Sequence, residues 1–238
     1  MLDDKKAEEI WAAEGFPLKG RSRSKWLAYY MGIRSAVFDS WLRQKLAGND
    51  EAVVIHIGCG MDSRVLRVGS AGHPWYDVDF SEVIGERKRY YSESADYHMI
   101  AGDVRDGGWL ANIPETACAV VVMEGVSMYL TLRQLQDLTA NLCAHFKQLS
   151  LLMDCYSVSA AKLSKYKNPI NDVGVTEVYG IDDPMLLQHG GFDFVKEHPM
   201  TPKKYIDELH GIEKLIFQKM YAGSFAKKLY RLFEYRKA

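Results

Sequence analysis

Apolar residues recur every three or four positions along Ser24–Leu46, at Trp26, Leu27, Tyr30, Ile33, Val37, Trp41 and Leu42. That period predicts a long helix with one buried face. A shorter helix is predicted over Asp3–Ala13. The pattern then changes. Val53-Val54-Ile55-His56-Ile57 is a short, largely β-branched run that stops at Gly58, as a buried strand does. Further strands are predicted at Trp75–Asp79, at Tyr97–Ala101 on a weaker pattern, at Cys118–Met123 and at Leu149–Cys155. Helices over Ser81–Ser92 and Leu132–His145 lie between them. Strands alternating with helices imply a parallel sheet with right-handed crossovers.

The last third reads differently. Met185–Gly190 ends as a helix ends, with Gly190-Gly191 behind it. Phe192–Glu197 and Leu229–Tyr235 read as strands, separated by a helix near Pro202–His210 and a loop, and they can close the sheet with an antiparallel edge. Lys165–Asp183 is polar, carries Pro169, Gly174 and Gly180 and is followed by Pro184, so it is expected to be a long surface loop of the kind that often carries function. The 238 residues are expected to form one α/β domain. Residues 1–50 make a helical cap, and 51–238 a Rossmann-like core with an insertion loop near 156–184.

Composition narrows the partners. A hydrophobic fraction of 47% and a charged fraction of 26% are those of an ordinary globular protein. The net charge of −1 gives no overall pull toward nucleic acid or an anionic membrane, so neither is an expected partner. Cys59, Cys118, Cys143 and Cys155 form no CxxC pair and no metal-ligand spacing, so no metal is expected. Three of them sit in apolar surroundings, which suits buried thiols of a reducing compartment. Met1–Glu9 has no apolar signal core, and no run reaches the length of a membrane span, so a cytoplasmic location is expected.

Candidate chemistry begins where the first strand stops. In Ile57-Gly58-Cys59-Gly60-Met61-Asp62-Ser63-Arg64 the chain turns on two glycines and opens a helix. Glycine admits positive φ and a close approach of backbone to ligand, and a fresh helix N-terminus offers N–H groups to a negative group. A dinucleotide fingerprint needs a third glycine where Ser63 stands. S-adenosylmethionine has no pyrophosphate and presents only a carboxylate, so the bare Gly58-x-Gly60 leans toward the methyl donor. A plain structural turn is the alternative.

Asp79 lies 21 residues after Gly58 at the end of the second strand. It can accept hydrogen bonds from both ribose hydroxyls, or serve as a helix cap before Ser81 and Glu82. Asp103 follows the third strand, where a carboxylate can accept from an adenine amino group, and Glu124 follows the fourth. Ligands of open α/β sheets bind outside the carboxyl ends of the strands. Four candidates at four successive strand ends form one constellation, although each alone also reads as a cap or a solvated carboxylate.

Taken in order, Ile57–Arg64, Trp75-Tyr76-Asp77-Val78-Asp79-Phe80 and Met123-Glu124-Gly125-Val126-Ser127-Met128-Tyr129-Leu130 resemble the leucine carboxyl methyltransferase family. The likeness is closer to its bacterial branch of the tetracenomycin polyketide O-methyltransferase type, whose pattern Gly180-Ile181-Asp182-Asp183-Pro184 also resembles. It spans Arg34 to Pro184. The resemblance implies a Rossmann-like class I methyltransferase fold. Its mostly parallel seven-stranded sheet would have an antiparallel last strand and helices on both faces, and N-terminal helices would help cover the cofactor. It implies S-adenosyl-L-methionine as cofactor, S-adenosyl-L-homocysteine as product, and O-methylation of a small-molecule acceptor. Gly58, in the turn with Gly60, would approach the methionine part of the donor, and Asp79 would hold the ribose. Asp103 and Val104 would flank the adenine, Glu124 would sit near the amino-acid part, and Arg34 would pair with the cofactor carboxylate. Cys59 and Ser63 depart from the family's usual alanine or glycine and threonine, both by small side chains. The region before Ser24 matches less well, so acceptor-side residues do not transfer.

The acceptor decides whether a base is needed. A carboxylate, with a pKa of about 4, is ionised at neutral pH, whereas a phenol at about 10 usually needs a base or a metal. The strand-end set contains no histidine, and His98, His145, His189 and His198 read as structural. This favours a carboxylate acceptor over a hydroxyl. Arg21, Arg23 and Lys25 are candidate anchors whose plainer reading is a solvated basic segment, and Arg64 reads as a residue pairing within the fold. Tyr129, five residues after Glu124, is the candidate catalytic contact, with a packed aromatic as the equal alternative. Trp11, Trp26, Trp41, Tyr29 and Tyr30 give the N-terminal helices an aromatic face, expected to be mostly core. Two other functions compete. A Rossmann oxidoreductase using NAD(P) is disfavoured by Ser63 and by Ala160 standing four residues after Tyr156, where a Tyr-x-x-x-Lys pair needs lysine. A non-catalytic domain that binds the methyl donor is the other.

Overall fold

The computed structural model describes residues 2–14, 25–70, 72–115, 118–164 and 177–238. Helices α1 (Lys5–Glu14) and α2 (Lys25–Leu46) precede strand β1 (Val53–Ile57). There follow α3 (Arg64–Val68), β2 (Trp75–Asp79), α4 (Ser81–Arg87), β3 (Tyr97–Ala101), β4 (Cys118–Met123), α5 (Leu132–His145), β5 (Gln148–Tyr156) and α6 (Val158–Ser164). The chain closes with β6 (Phe192–His198), the short helices α7 (Lys203–Ile206), α8 (Gly211–Tyr221) and α9 (Ser224–Leu229), and β7 (Tyr230–Lys237).

The strands form one sheet in the order β3-β2-β1-β4-β5-β7-β6. β1 to β5 pair in parallel, and β7 runs antiparallel to both β5 and β6. This is the expected antiparallel last strand, but it lies inside the sheet and leaves β6 at the edge. β1 and β4 are buried at every position, which is why they read as continuous apolar runs. Their side chains alternate between two cores. Val54, Val120 and Val122 face Ile33, Phe38 and Leu42 of α2, while Ile55, Val121 and Leu151 face Leu135, Leu138 and Leu142 of α5. Thr131 and Gln134 start α5 with a capping box. Register matters for function. Ile57 pairs with Val78 and with Met123, and Met123 with Met153, so the residues that follow β1, β2 and β4 emerge side by side.

Several expectations need correction. The helix expected over Ser81–Ser92 stops at Arg87. Met185–Gly190 is not a helix end: Pro184–Leu187 is a single 3-10 turn, and Gly190 and Gly191, both at positive φ, turn the chain back so that His189 bridges Phe192. The helix near Pro202–His210 is only Lys203–Ile206, and the loop expected after it contains α8 and α9. The polar stretch Lys165–Asp183 is not a solvated loop throughout. Residues 165–176 lie outside the described residues, but Tyr179 and Ile181 donate backbone hydrogen bonds to Met128 and Tyr156, each 2.8 Å. A Cβ on Gly180 would lie 2.3 Å from the Ser157 carbonyl oxygen. Of the N-terminal aromatics, Tyr30 and Trp41 are core, whereas Trp11 is half exposed.

Candidate active site

At the end of β1 the chain takes a conformation that only glycine fits. Gly58 has φ +66° and donates its N–H to the Val78 carbonyl at 2.8 Å. A Cβ there would lie 2.1 Å from Val126 Cγ2. Gly60, at φ +50°, donates its N–H to Asp79 Oδ2 at 2.8 Å and accepts from Arg87 Nη1 at 2.9 Å. Phe80 N–H donates to Asp79 Oδ1, also at 2.8 Å. Asp79 thus ties the glycine turn to the end of β2.

Two cavities of about 280 and 290 Å³ share Gly58 as a wall. The first is walled by Val78, Phe80, Val104 and Val126, with the carboxylates of Asp79 and Asp103 at its sides and Tyr129 at its edge. The second is polar, with Arg34, Ser35, His56, Asp62 and Glu124 around it. The cleft they form is apolar at one end and charged at the other.

The charged end is densely paired. Glu124 Oε1 accepts from Arg34 Nε at 2.9 Å and from Ser35 Oγ at 2.7 Å, and Oε2 accepts from Arg64. Burial pushes the Glu124 carboxyl up, but Arg64 and Arg34 outweigh it and hold the group below its ordinary range. Arg34 Nη1 donates to Asp154 Oδ2 at 3.0 Å and to the Tyr230 hydroxyl, which itself donates to Asp154. Burial pulls the Arg34 guanidinium down, yet Tyr230, Glu124 and Asp154 together hold it above its usual value, so it stays a cation. Asp154 also accepts from the Gly125 N–H at 2.8 and 3.0 Å. Burial still pushes its carboxyl up, despite Arg34 and Tyr230. Arg64 Nη1 lies 3.2 Å from His56 Nε2. Since arginine only donates, His56 accepts there, which leaves Nδ1–H to donate to Asp77 at 3.2 Å. At the apolar end, Arg105 Nε lies 2.8 Å from both Asp103 oxygens and holds that carboxyl below its ordinary value.

Residues 1–143 match the profile of the leucine carboxyl methyltransferase family. The chain belongs to that family. Among curated relatives of this family member is the tetracenomycin polyketide synthesis O-methyltransferase TcmP of Streptomyces glaucescens, 29% identical over 187 residues that cover 77% of this chain and 69% of the relative. Another is the S-adenosyl-L-methionine-dependent methyltransferase dpfgK of Gibberella zeae, 28% identical over 183 residues, covering 71% of this chain and 61% of the relative. The second match therefore spans less than two thirds of its relative's length. Among solved structures, magnesium protoporphyrin IX methyltransferase from Synechocystis PCC 6803 with bound S-adenosylhomocysteine superposes with a TM-score of 0.58. It shares 13% identity over 99% of this chain and 100% of that chain, which establishes a common class I methyltransferase fold.

Within this family fold, Arg34, Gly58, Asp79, Asp103, Val104, Glu124 and Tyr129 all border the cleft. Gly60 borders neither cavity; its amide is engaged by Asp79. The first turn of α3 borders neither as well, so the positive group at the charged end is Arg34 rather than a helix N-terminus. Arg64 pairs within the fold as expected, with Asp39 Oδ1 at 2.8 Å and with Glu124. Arg21 and Arg23 lie outside the described residues, and Lys25 pairs with Glu213 on the surface. His98 stacks on Tyr76, His145 meets the Ile113 carbonyl, His189 meets Thr139 and His198 meets Glu234, all structural partners. Sequence reasoning missed His56, Asp62 and Asp154. For His56 in β1 and Asp154 in β5 the available signal was a titratable residue inside an apolar strand, which must be paired to be buried, whereas Asp62 lies in the turn after β1.

Proposed function

We propose that this chain is an S-adenosylmethionine-dependent O-methyltransferase acting on a carboxylate or hydroxyl of a small, polyketide-like molecule. The observation that carries the reading is the pair of cavities along the strand ends that share Gly58 as a wall, one bordered by Arg34 and the other apolar at Val78, Phe80 and Val104. S-adenosylmethionine has the same gradient, from a charged amino acid to an aromatic base. Arg34 would pair with its carboxylate, with Glu124 and Asp154 fixing the guanidinium in place. Asp79 would accept from the ribose hydroxyls. Asp103 would accept from the adenine amino group beside Val104, sharing its lone pairs with Arg105. When bound, the donor supplies a methyl group already activated by a sulfonium. The protein's part is alignment, which can contribute about 7–11 kcal/mol at the upper end.

The pairing at the charged end supports a carboxylate acceptor. Among the described residues bordering that end, Glu124 is held by Arg34 and Arg64, His56 accepts from the same Arg64, and Asp62 accepts from Arg67 at 2.6 Å, so each lone-pair group is already engaged by an arginine. A carboxylate acceptor, ionised at a pKa of about 4, needs no base. Burial pushes the Tyr129 hydroxyl up, so it stays a phenol able to donate a hydrogen bond to an acceptor oxygen. The relatives support O-methylation and dependence on S-adenosyl-L-methionine by name. Four buried cysteine thiols fit a reducing cytoplasm. A dinucleotide-binding sheet is parallel throughout in its usual form, which β7 is not.

Calorimetric titration tests the proposal. S-adenosylhomocysteine is expected to bind in the micromolar range and NAD(P)H not at all, and labelled methyl is expected to reach a carboxylate acceptor from S-adenosylmethionine. Asp79→Ala should weaken S-adenosylhomocysteine at least about tenfold, the worth of a charged hydrogen bond, while the protein stays folded. An unchanged dissociation constant removes Asp79 from the site. Binding without transfer to any acceptor leaves a donor-binding domain instead.

A further inference from the structure

Helix α8 is apolar on both sides. Its inner side is Phe217, edge-on to Tyr29 at 5.3 Å, and Tyr221, 5.1 Å from Tyr30. Its outer side carries Ile212, Leu215, Ile216 and Met220, exposed by 75, 66, 40 and 55%, and Phe225 of α9 is exposed by 70%. The spacing of the first four sets them on one face of the helix. Contiguous apolar surface of this kind marks an interaction site on a folded protein.

The charges beyond the first turn of α8, where Glu213 pairs with Lys25, are basic. From Lys214 to Leu229 the chain carries Lys214, Lys219, Lys227 and Lys228 and no acidic residue. Lys214 pairs with Asp207 at 2.7 Å. Among the described residues, Lys219, Lys227 and Lys228 have no ion-pair partner, and all three are exposed. Lys219 stands inside the apolar stripe, three residues after Ile216 and one before Met220. The net charge of −1 for the whole chain conceals this basic end.

We infer that the outer face of α8 and α9 docks on an anionic lipid surface. A second copy of the chain, packed face to face, would bury Lys219 of both copies, and the acid that borders the stripe, Glu213, is already paired with Lys25, so the burial is costly. At a lipid surface Lys219 extends its stem along the acyl boundary and places its ammonium among phosphates. Lys227 and Lys228 do the same at the end of α9. The association is peripheral, since no described helix is long and apolar enough to cross a membrane.

Flotation of the full chain with vesicles tests this, using phosphatidylcholine alone or with roughly one-third phosphatidylglycerol. The chain is expected to float with the anionic vesicles and not with the neutral ones. Leu215→Ser with Phe225→Ser should weaken that binding about tenfold or more, since buried apolar area sets its strength. Lys219→Glu should weaken it about fivefold or more, while Lys219→Arg retains it. S-adenosylhomocysteine affinity and circular dichroism should be unchanged in each variant, because the substituted side chains are exposed and lie outside the cleft. Failure of the wild-type chain to float, or equal flotation with neutral vesicles, overturns the inference. So does a dimer in sedimentation that Leu215→Ser dissociates, which would assign the face to a second copy.

Discussion

Gly58 and Gly60 differ in what a methyl group would meet. Both are at positive φ, but a Cβ on Gly58 would strike Val126, whereas a Cβ on Gly60 has open space within 4 Å. Left-handed backbone costs a non-glycine residue about 1–2 kcal/mol, and this alone is expected for Gly60→Ala. Gly58→Ala adds the clash, which must displace Val126, a wall of the cleft. Gly58→Ala should therefore lower the melting temperature more than Gly60→Ala does and lose S-adenosylhomocysteine affinity by about tenfold or more. Paired thermal melts and titrations check this, and equal affinities in the two variants would show that the turn does not shape the cleft. The two glycines were legible as a turn from sequence. Their division of labour was not, because Val126 is far along the chain.

Elements were legible where their environment was uniform. β1 and β4 have both faces buried, so their boundaries follow directly from the apolar runs. Helix α8 was missed because an outward face as apolar as the inward one blurs the period a helix normally shows. β7 shows how much an element depends on its neighbours. Its Glu234 is buried, accepts from His198 Nε2 at 2.5 Å and pairs with Lys45 of α2 at 2.6 Å. Burial pushes that carboxyl up, but His198 and Lys45 bring it down from 4.5 to about 2. A depressed folded value means stability that is present above 4.5 and lost as pH falls toward about 2. Glu234→Gln should be less stable at neutral pH, and its stability should fall less steeply between about pH 5 and pH 3. Urea unfolding of both proteins across that window measures the difference; parallel curves would show that Glu234 does not carry the acid sensitivity.

At the scale of the molecule, one buried chain of polar groups joins α2 to the sheet. It runs from Asp39 through Arg64, Glu124, Arg34 and Asp154 to Tyr230. Arg64 is fully buried in its middle, so Arg64→Met removes a cation from two buried carboxylates at once. Breaking a buried pair typically costs about 3–5 kcal/mol. The melting temperature should drop by roughly 10 °C, and S-adenosylhomocysteine binding should weaken as Glu124 and Arg34 rearrange. A variant that melts lower but binds normally would confine the network to stability. The sequence by itself determined the order of the elements, the glycine turn and the acids at the strand ends, because period and turn chemistry are local. Only the tertiary structure decided that β7 enters between β5 and β6, and which carboxylates face the cleft and which are held by arginine. Those outcomes rest on contacts such as Arg34 with Glu124, 90 residues apart, and Arg34 with Tyr230, 196 apart, and a local pattern records that a group is buried but not which distant partner it meets.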